Sequence, residues 1–112
     1  VSVSLSYSAA FLRQLKRLRK KYPSIAEDVR PLLLELQTGK TPGDRIRGAG
    51  HTVFKVRVPN RDAQRGARGG YRVIYYVPTL TARLLLAIYS KTEQADLAAD
   101  DILRIVEETL GS

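Results

Sequence analysis

A chain of 112 residues holds one domain with a single core, and its 44% hydrophobic and 27% charged content excludes a disordered one. No apolar run approaches the ~20 residues of a membrane span, no signal-peptide pattern is present, and the absence of cysteine excludes disulfides and thiolate chemistry and fits a cytoplasmic protein. Nineteen Lys and Arg against eleven Asp and Glu give a net charge of +8 and a pI near 10.1, which points to a polyanionic partner, nucleic acid being the commonest.

The start at Val1 rather than Met suggests trimming ahead of it. Residues 1–6 alternate apolar and small polar side chains, as a half-buried strand does. Ser8 is placed to cap a helix in which Phe11, Leu12, Leu15, Leu18 and Tyr22 recur at helical spacing. Arg13, Lys16, Arg17, Lys20 and Lys21 lie mostly outside that stripe. They read first as a solvated face and second as a contact to folded RNA, for which Lys16 and Lys20 are the candidates. Pro23 ends the helix. Ser24-Ile25-Ala26-Glu27 reads as a capping box opening a second helix with Ile25, Val29, Leu32, Leu33 and Leu36 inside. Pro31 removes a hydrogen bond from that helix, so either it kinks there or it begins later than the box implies.

Residues 38–44 form a loop by their turn residues. A strand over 52–58 puts Phe54, Val56 and Val58 on one face and Val53, Lys55 and Arg57 on the other. After a polar loop at 59–70, rich in Gly and Arg, residues 71–77 and 81–90 form a hairpin across a Pro-Thr-Leu-Thr connection. A final helix begins near Asp96, with Leu97, Ile102, Ile105 and Val106 inside and Gly111 at its end. Six of the eleven acids fall after residue 92, alongside only Arg104, leaving eighteen basic groups against five acidic in residues 1–92. The tail acids read as a solvated helix face. With no repeat and no linker, residues 1–112 form one α+β domain of order β-α-α-β-β-β-α. It has a small antiparallel sheet with two N-terminal helices packed on one face, and the other face left partly polar.

That polar face carries the candidate chemistry. Arg72, Ile74 and Tyr76 share one parity, and Arg83, Leu85, Ala87, Tyr89 and Lys91 another; if the register aligns them with Lys55 and Arg57, one face collects Lys55, Arg57, Arg72, Tyr89 and Lys91. The neighbouring loop adds Arg61, Arg65 and Arg68. Arg offers a two-pronged donor to phosphate, Lys a point charge, and a Lys crowded by Arg is suited to be a general base. Attack of an RNA 2′-hydroxyl on its own phosphate needs a base, charge stabilisation and an acid, roles open to Lys, Arg and Tyr. Composition leaves catalysis and simple phosphate binding equally open. His51, the sole histidine, reads as a loop residue, and no carboxylate cluster suits a divalent metal, so no cofactor is expected. Gly66, Gly69 and Gly70 do not match a phosphate-loop spacing and are explained as turn glycines.

Phe54-Lys55-Val56-Arg57-Val58, then Gly69-Gly70-Tyr71-Arg72-Val73-Ile74-Tyr75-Tyr76, then Leu86-Ala87-Ile88-Tyr89-Ser90-Lys91 resemble the HigB-like branch of the RelE/ParE toxins, as does Pro42-Gly43-Asp44 before Arg47-Gly48-Ala49-Gly50. The resemblance runs in order over nearly the whole chain. It implies a toxin of a type II toxin–antitoxin system, a metal-free endonuclease that cuts mRNA in the ribosomal A site and is neutralised by a cognate antitoxin protein. It also implies that Lys55 and Arg57 match the basic pair of the central strand, Arg72 the arginine after the glycine-aromatic step, and Lys91 a basic position at the last strand's end. Tyr89 lies beside it without matching a catalytic tyrosine of the family, and the family's tyrosine on the C-terminal helix has no counterpart. Relatives usually carry Lys where this chain has Ala67, so Ala67 is either a natural difference offset by Arg65 or Arg68 or a substitution that attenuates activity. Two alternatives stand beside the mRNA endonuclease: a ParE-like gyrase inhibitor, which does not need the cationic face, and a non-catalytic RNA-binding module.

Overall fold

The structure, a computed structural model, describes residues 3–111, apart from the side chain of Ala67. Its elements are β1 (Ser4–Tyr7), α1 (Ala9–Lys21), α2 (Ile25–Gln37), β2 (Asp44–Arg45), β3 (Val53–Val58), a 3-10 turn (Ala67–Gly69), β4 (Tyr71–Thr79), β5 (Ala82–Ser90) and α3 (Ala99–Gly111). The five strands form one sheet in the order β1-β5-β4-β3-β2, antiparallel except for the pairing of β1 with β5. The α+β architecture is the expected one, with β2 added and β1 parallel. Val1 and Ser2 of the expected first strand lie outside the described residues. Among the described residues no helix is long and apolar enough to cross a membrane.

Ser8 joins the first strand to the first helix. Its Oγ accepts from the N–H of Phe11 at 2.9 Å, capping α1, and donates to the carbonyl of Leu86 at 2.7 Å. Its own N–H reaches the carbonyl of Leu85 at 2.9 Å. Beyond it, Gln14 accepts from the N–H of Ile88 at 2.9 Å. Where β1 stops pairing, α1 therefore takes over the free edge of β5, and buried backbone groups there keep partners.

α2 begins at Ile25 as read, but not through a capping box. The side chain of Ser24 makes no cap, its N–H donates to Asp62 at 2.7 Å, and Glu27 turns to Arg61. Glu27 and Asp28 still suit the positive end of the helix. The helix runs on through Pro31, whose side chain is exposed. α3 begins at Ala99, later than the apolar periodicity implies. Asp96 and Leu97 are held by Tyr89, and Asp101 reaches back to accept from the N–H of Ala98, the acid half of a capping box.

α1 and α2 bury Phe11, Leu18, Ile25, Val29, Leu32 and Leu36 against Val58, Tyr71, Val73, Tyr75, Leu85 and Ile88. The opposite face, expected to be partly polar, carries a second apolar cluster. Ile102 and Val106 of α3, with Ala49, cover Val53, Ile74, Leu84, Leu86, Ala87 and Tyr89. The unbroken apolar run Leu84-Leu85-Leu86-Ala87-Ile88 is the mark of a strand buried on both sides. A register shift in β5, where Ile74 pairs with Ala87 but Tyr75 with Leu85, breaks the parity along the strand. Leu85 consequently faces the helices, whereas Tyr89 faces α3.

Candidate functional site: a cationic sheet face

The register aligns the basic rows. Arg57 lies opposite Arg72, which lies opposite Tyr89; two residues along, Lys55 lies opposite Ile74, which lies opposite Ala87. Lys91 follows the end of β5, its N–H donating to the carbonyl of Gly70 at 2.9 Å. The backbone at Gly70 runs so close to Val58 and Asn60 that a Cβ there would overlap the carbonyl oxygen of Val58. Glycine at 70 thus seats the Tyr71–Arg72 step against β3 and, through Lys91, fixes the end of β5.

An acid that the pattern did not disclose gathers these groups. Asp96 Oδ2 lies 3.3 Å from Lys91 Nζ and 3.6 Å from Lys55 Nζ, and its Oδ1 accepts from the Tyr89 hydroxyl at 3.0 Å. Partial burial pushes the Asp96 carboxyl up, but the hydrogen bonds from Tyr89 and Lys91 and the charges of Lys55 and Lys91 outweigh it, and the net shift is downward. The apolar periodicity makes Asp96 the start of the last helix, so nothing in the sequence shows that it folds back over the strand ends.

The remaining candidates fall into place around this centre or away from it. Arg57 is exposed. Arg72 is buried, and its guanidinium donates to the carbonyls of Arg68, at 2.6 Å, and Tyr71, at 3.2 Å, bracing the 3-10 turn. Tyr89 is also buried, its hydroxyl donating to Asp96 and accepting from the N–H of Leu97. Burial pushes that hydroxyl up to about 12; the Leu97 N–H opposes this and the Asp96 carboxylate adds to it. At neutral pH it is a protonated donor and not a base, and it meets the open face through Asp96.

Arg61 does not join the face. Its guanidinium lies 2.7 Å from Asp28 and 2.9 Å from Glu27 and ties the loop to α2. Arg65 and Arg68 are exposed on the same loop, Arg68 held next to Arg72 through its carbonyl. Lys16 and Lys20 sit on α1, on the other side of the sheet, where with Leu12, Leu15 and Arg19 they line a groove of about 430 Å³. His51 packs edge-on against Tyr76 with ring centroids 5.5 Å apart. Among the described residues no group of three His, Cys, Asp or Glu side chains is placed to hold a metal ion.

This arrangement of helices and strands has a counterpart among solved structures. The fold is RelE-like. The chain matches a doubly arginine-to-alanine substituted form of the E. coli toxin RelE, in its free state, with a TM-score of 0.56 and 15% identity, over 99% of this chain and 97% of that one. No protein-family model matches the chain, and no curated protein matches it. The RelE-like fold is the one that the sequence resemblance implied.

Proposed function

We propose that this protein is the toxin of a type II toxin–antitoxin system, an endoribonuclease of the HigB-like branch that cleaves mRNA on the ribosome without a metal ion. The observation that carries the reading is the placing of exposed Arg57 opposite buried Arg72, beside the partly exposed Lys55 and Lys91, on one face of the sheet in a RelE-like fold. In the reaction the RNA 2′-oxygen attacks the adjacent phosphorus and the bond to the 5′-oxygen breaks. This leaves a cyclic phosphate and a free 5′-hydroxyl; one proton leaves the 2′-hydroxyl and one arrives at the 5′-oxygen. Lys55, Lys91 and Arg57 supply the positive charge that the phosphorane requires. Arg72 adds charge and braces the loop that carries Arg68.

Net charge and face together favour RNA as substrate, with the ribosome presenting it and a cognate antitoxin protein as the inhibitor. The protein would act in the cytoplasm. Induction in a bacterial host followed by ribosome profiling tests this: cuts within translated codons, lost in Lys55→Ala and Arg57→Ala, are expected. DNA damage without mRNA cuts would replace the reading with gyrase inhibition, and neither effect would leave an RNA-binding module. Restoring Lys at position 67 should deepen growth arrest if Ala67 attenuates the toxin; unchanged arrest would make Ala67 a natural difference.

A further inference from the structure

The carboxylate of Asp96 is held as a phosphate would be. It offers two oxygens sharing one negative charge, as a phosphodiester does, and every donor around it (Lys55 Nζ, Lys91 Nζ and the Tyr89 hydroxyl) is a donor that a phosphate would use. The arrangement is open to a polymer, since the side chains of Lys55, Lys91 and Asp96 are 30%, 36% and 42% exposed. With Asp96 in place, the two lysines carry one net positive charge instead of two.

We propose that Asp96 occupies, in the free protein, the seat of an RNA phosphate between Lys55 and Lys91, and that substrate binds there by displacing it. The proposal rests on the RNA reading above and adds a selection rule to it. Half-exposed ion pairs are weak, so the carboxylate imposes a several-fold cost and not a thousand-fold one. A chain of phosphates anchored also by Arg57 and Arg68 overcomes such a cost. A single free phosphate does not, and the seat therefore stays closed to mononucleotides and inorganic phosphate.

Asp96→Asn removes the charge and keeps an acceptor for Tyr89. Binding of an uncleavable 2′-O-methyl oligoribonucleotide to the full chain is followed by fluorescence anisotropy across a potassium chloride series. The Asp96→Asn variant should bind several-fold tighter at low salt, with a salt slope steeper by about 1. Asp100→Asn, which removes the same charge from the first turn of α3, should change affinity less; equal tightening by the two would reduce the effect to the general field and overturn the proposal. Lys55→Met should cost more affinity when combined with Asp96→Asn than when made alone, and equal losses would also overturn it. Tyrosine fluorescence with inorganic phosphate separates the two readings. If neither protein binds RNA and only the Asp96→Asn variant binds phosphate, the RNA reading fails and the seat stands. If the wild type binds RNA and the variant gains neither ligand, the seat fails and the RNA reading stands. Circular dichroism checks the fold, and Asp96→Ser replaces Asp96→Asn should that variant misfold.

Discussion

Arg57 and Arg72 stand directly opposite each other on β3 and β4, two guanidinium side chains rooted on one face of the sheet. Like charges in that relation destabilise a sheet, by roughly 0.2–1 kcal/mol. Arg72 lessens the repulsion by turning to the carbonyls of Arg68 and Tyr71, and Arg57 remains at the surface. A fold selected for stability alone has no reason to keep this pair, whereas a phosphate-binding face has one. Arg57→Thr is therefore expected to raise stability by about 0.5 kcal/mol in urea denaturation. The same change should weaken RNA binding and flatten its salt slope by about 1. A fall in stability would show that Arg57 supports the sheet and that repulsion from Arg72 is not what governs it.

Much of this face was legible in the sequence because the period of a strand is 2. Lys55 with Arg57, and Arg72 with Ile74, keep their relation in any regular ladder, and the register observed is the one that puts them together. Regularity fails in β5. The shift opposite Ile74 and Tyr75 sends Leu85 to the helix side, and Arg83 donates to the carbonyl of Gly39 after α2 instead of joining the cationic row. Arg61 departs from the face for a different reason. Its partner Asp28 lies thirty-three positions away, and loop composition does not reveal a contact made through tertiary folding. Asp96 is hidden likewise, since its meaning depends on where residues 92–98 cross the ends of β3 and β5. The covering of the second face by α3 is the more readable of these features, because the apolar run of β5 already requires burial on both sides.

Ser8 should be worth more than an ordinary helix cap. Removing its hydroxyl costs about 1 kcal/mol at a typical N-cap. Here the same oxygen also donates to the buried carbonyl of Leu86, which would be left without that partner. Ser8→Ala is therefore expected to cost roughly 2 kcal/mol in chemical denaturation, with the loss shared between α1 and the edge of β5. Hydrogen exchange of the Phe11 amide should accelerate in the variant. A loss no greater than that of a surface cap would mean that water replaces the hydroxyl at Leu86.

Three tyrosines should titrate late. Burial pushes the hydroxyls of Tyr71 and Tyr75 far above the ordinary range and that of Tyr89 up to about 12. A folded-state value raised above the unfolded one, near 10, gives stability that is fully present below pH ~10 and is lost as pH climbs through the folded values. The absorbance rise near 295 nm that comes from these three is then expected to coincide with loss of the circular dichroism signal. Asp96 acts at the other end: its lowered carboxyl contributes above the unfolded value near 3.9, and that contribution is lost as pH falls through the folded one. Because Asp96 is well exposed, the acid effect should be small, and Asp96→Asn should remove it. Ionisation of Tyr71, Tyr75 and Tyr89 while the fold is intact would contradict the buried assignment.

Gly70 offers the sharpest separation of architecture from chemistry. It carries no charge, yet its carbonyl holds the N–H of Lys91, and its α-carbon lies against the backbone of Val58 and Asn60. Adding a methyl group forces β3 and the start of β4 apart, because backbone cannot yield as the end of a flexible side chain does. Gly70→Ala is expected to destabilise by roughly 1–3 kcal/mol, the range for overpacking. At temperatures where the variant remains folded, the RNA cleavage proposed above should still fall at least tenfold, since Arg72 and Lys91 are displaced relative to Lys55 and Arg57. Gly66→Ala, at a position where a methyl group meets nothing within 4 Å, is the control and should leave both quantities near the wild type. Equal behaviour of the two variants would show that the cationic face tolerates displacement, and that its chemistry is attraction of phosphate without close placement.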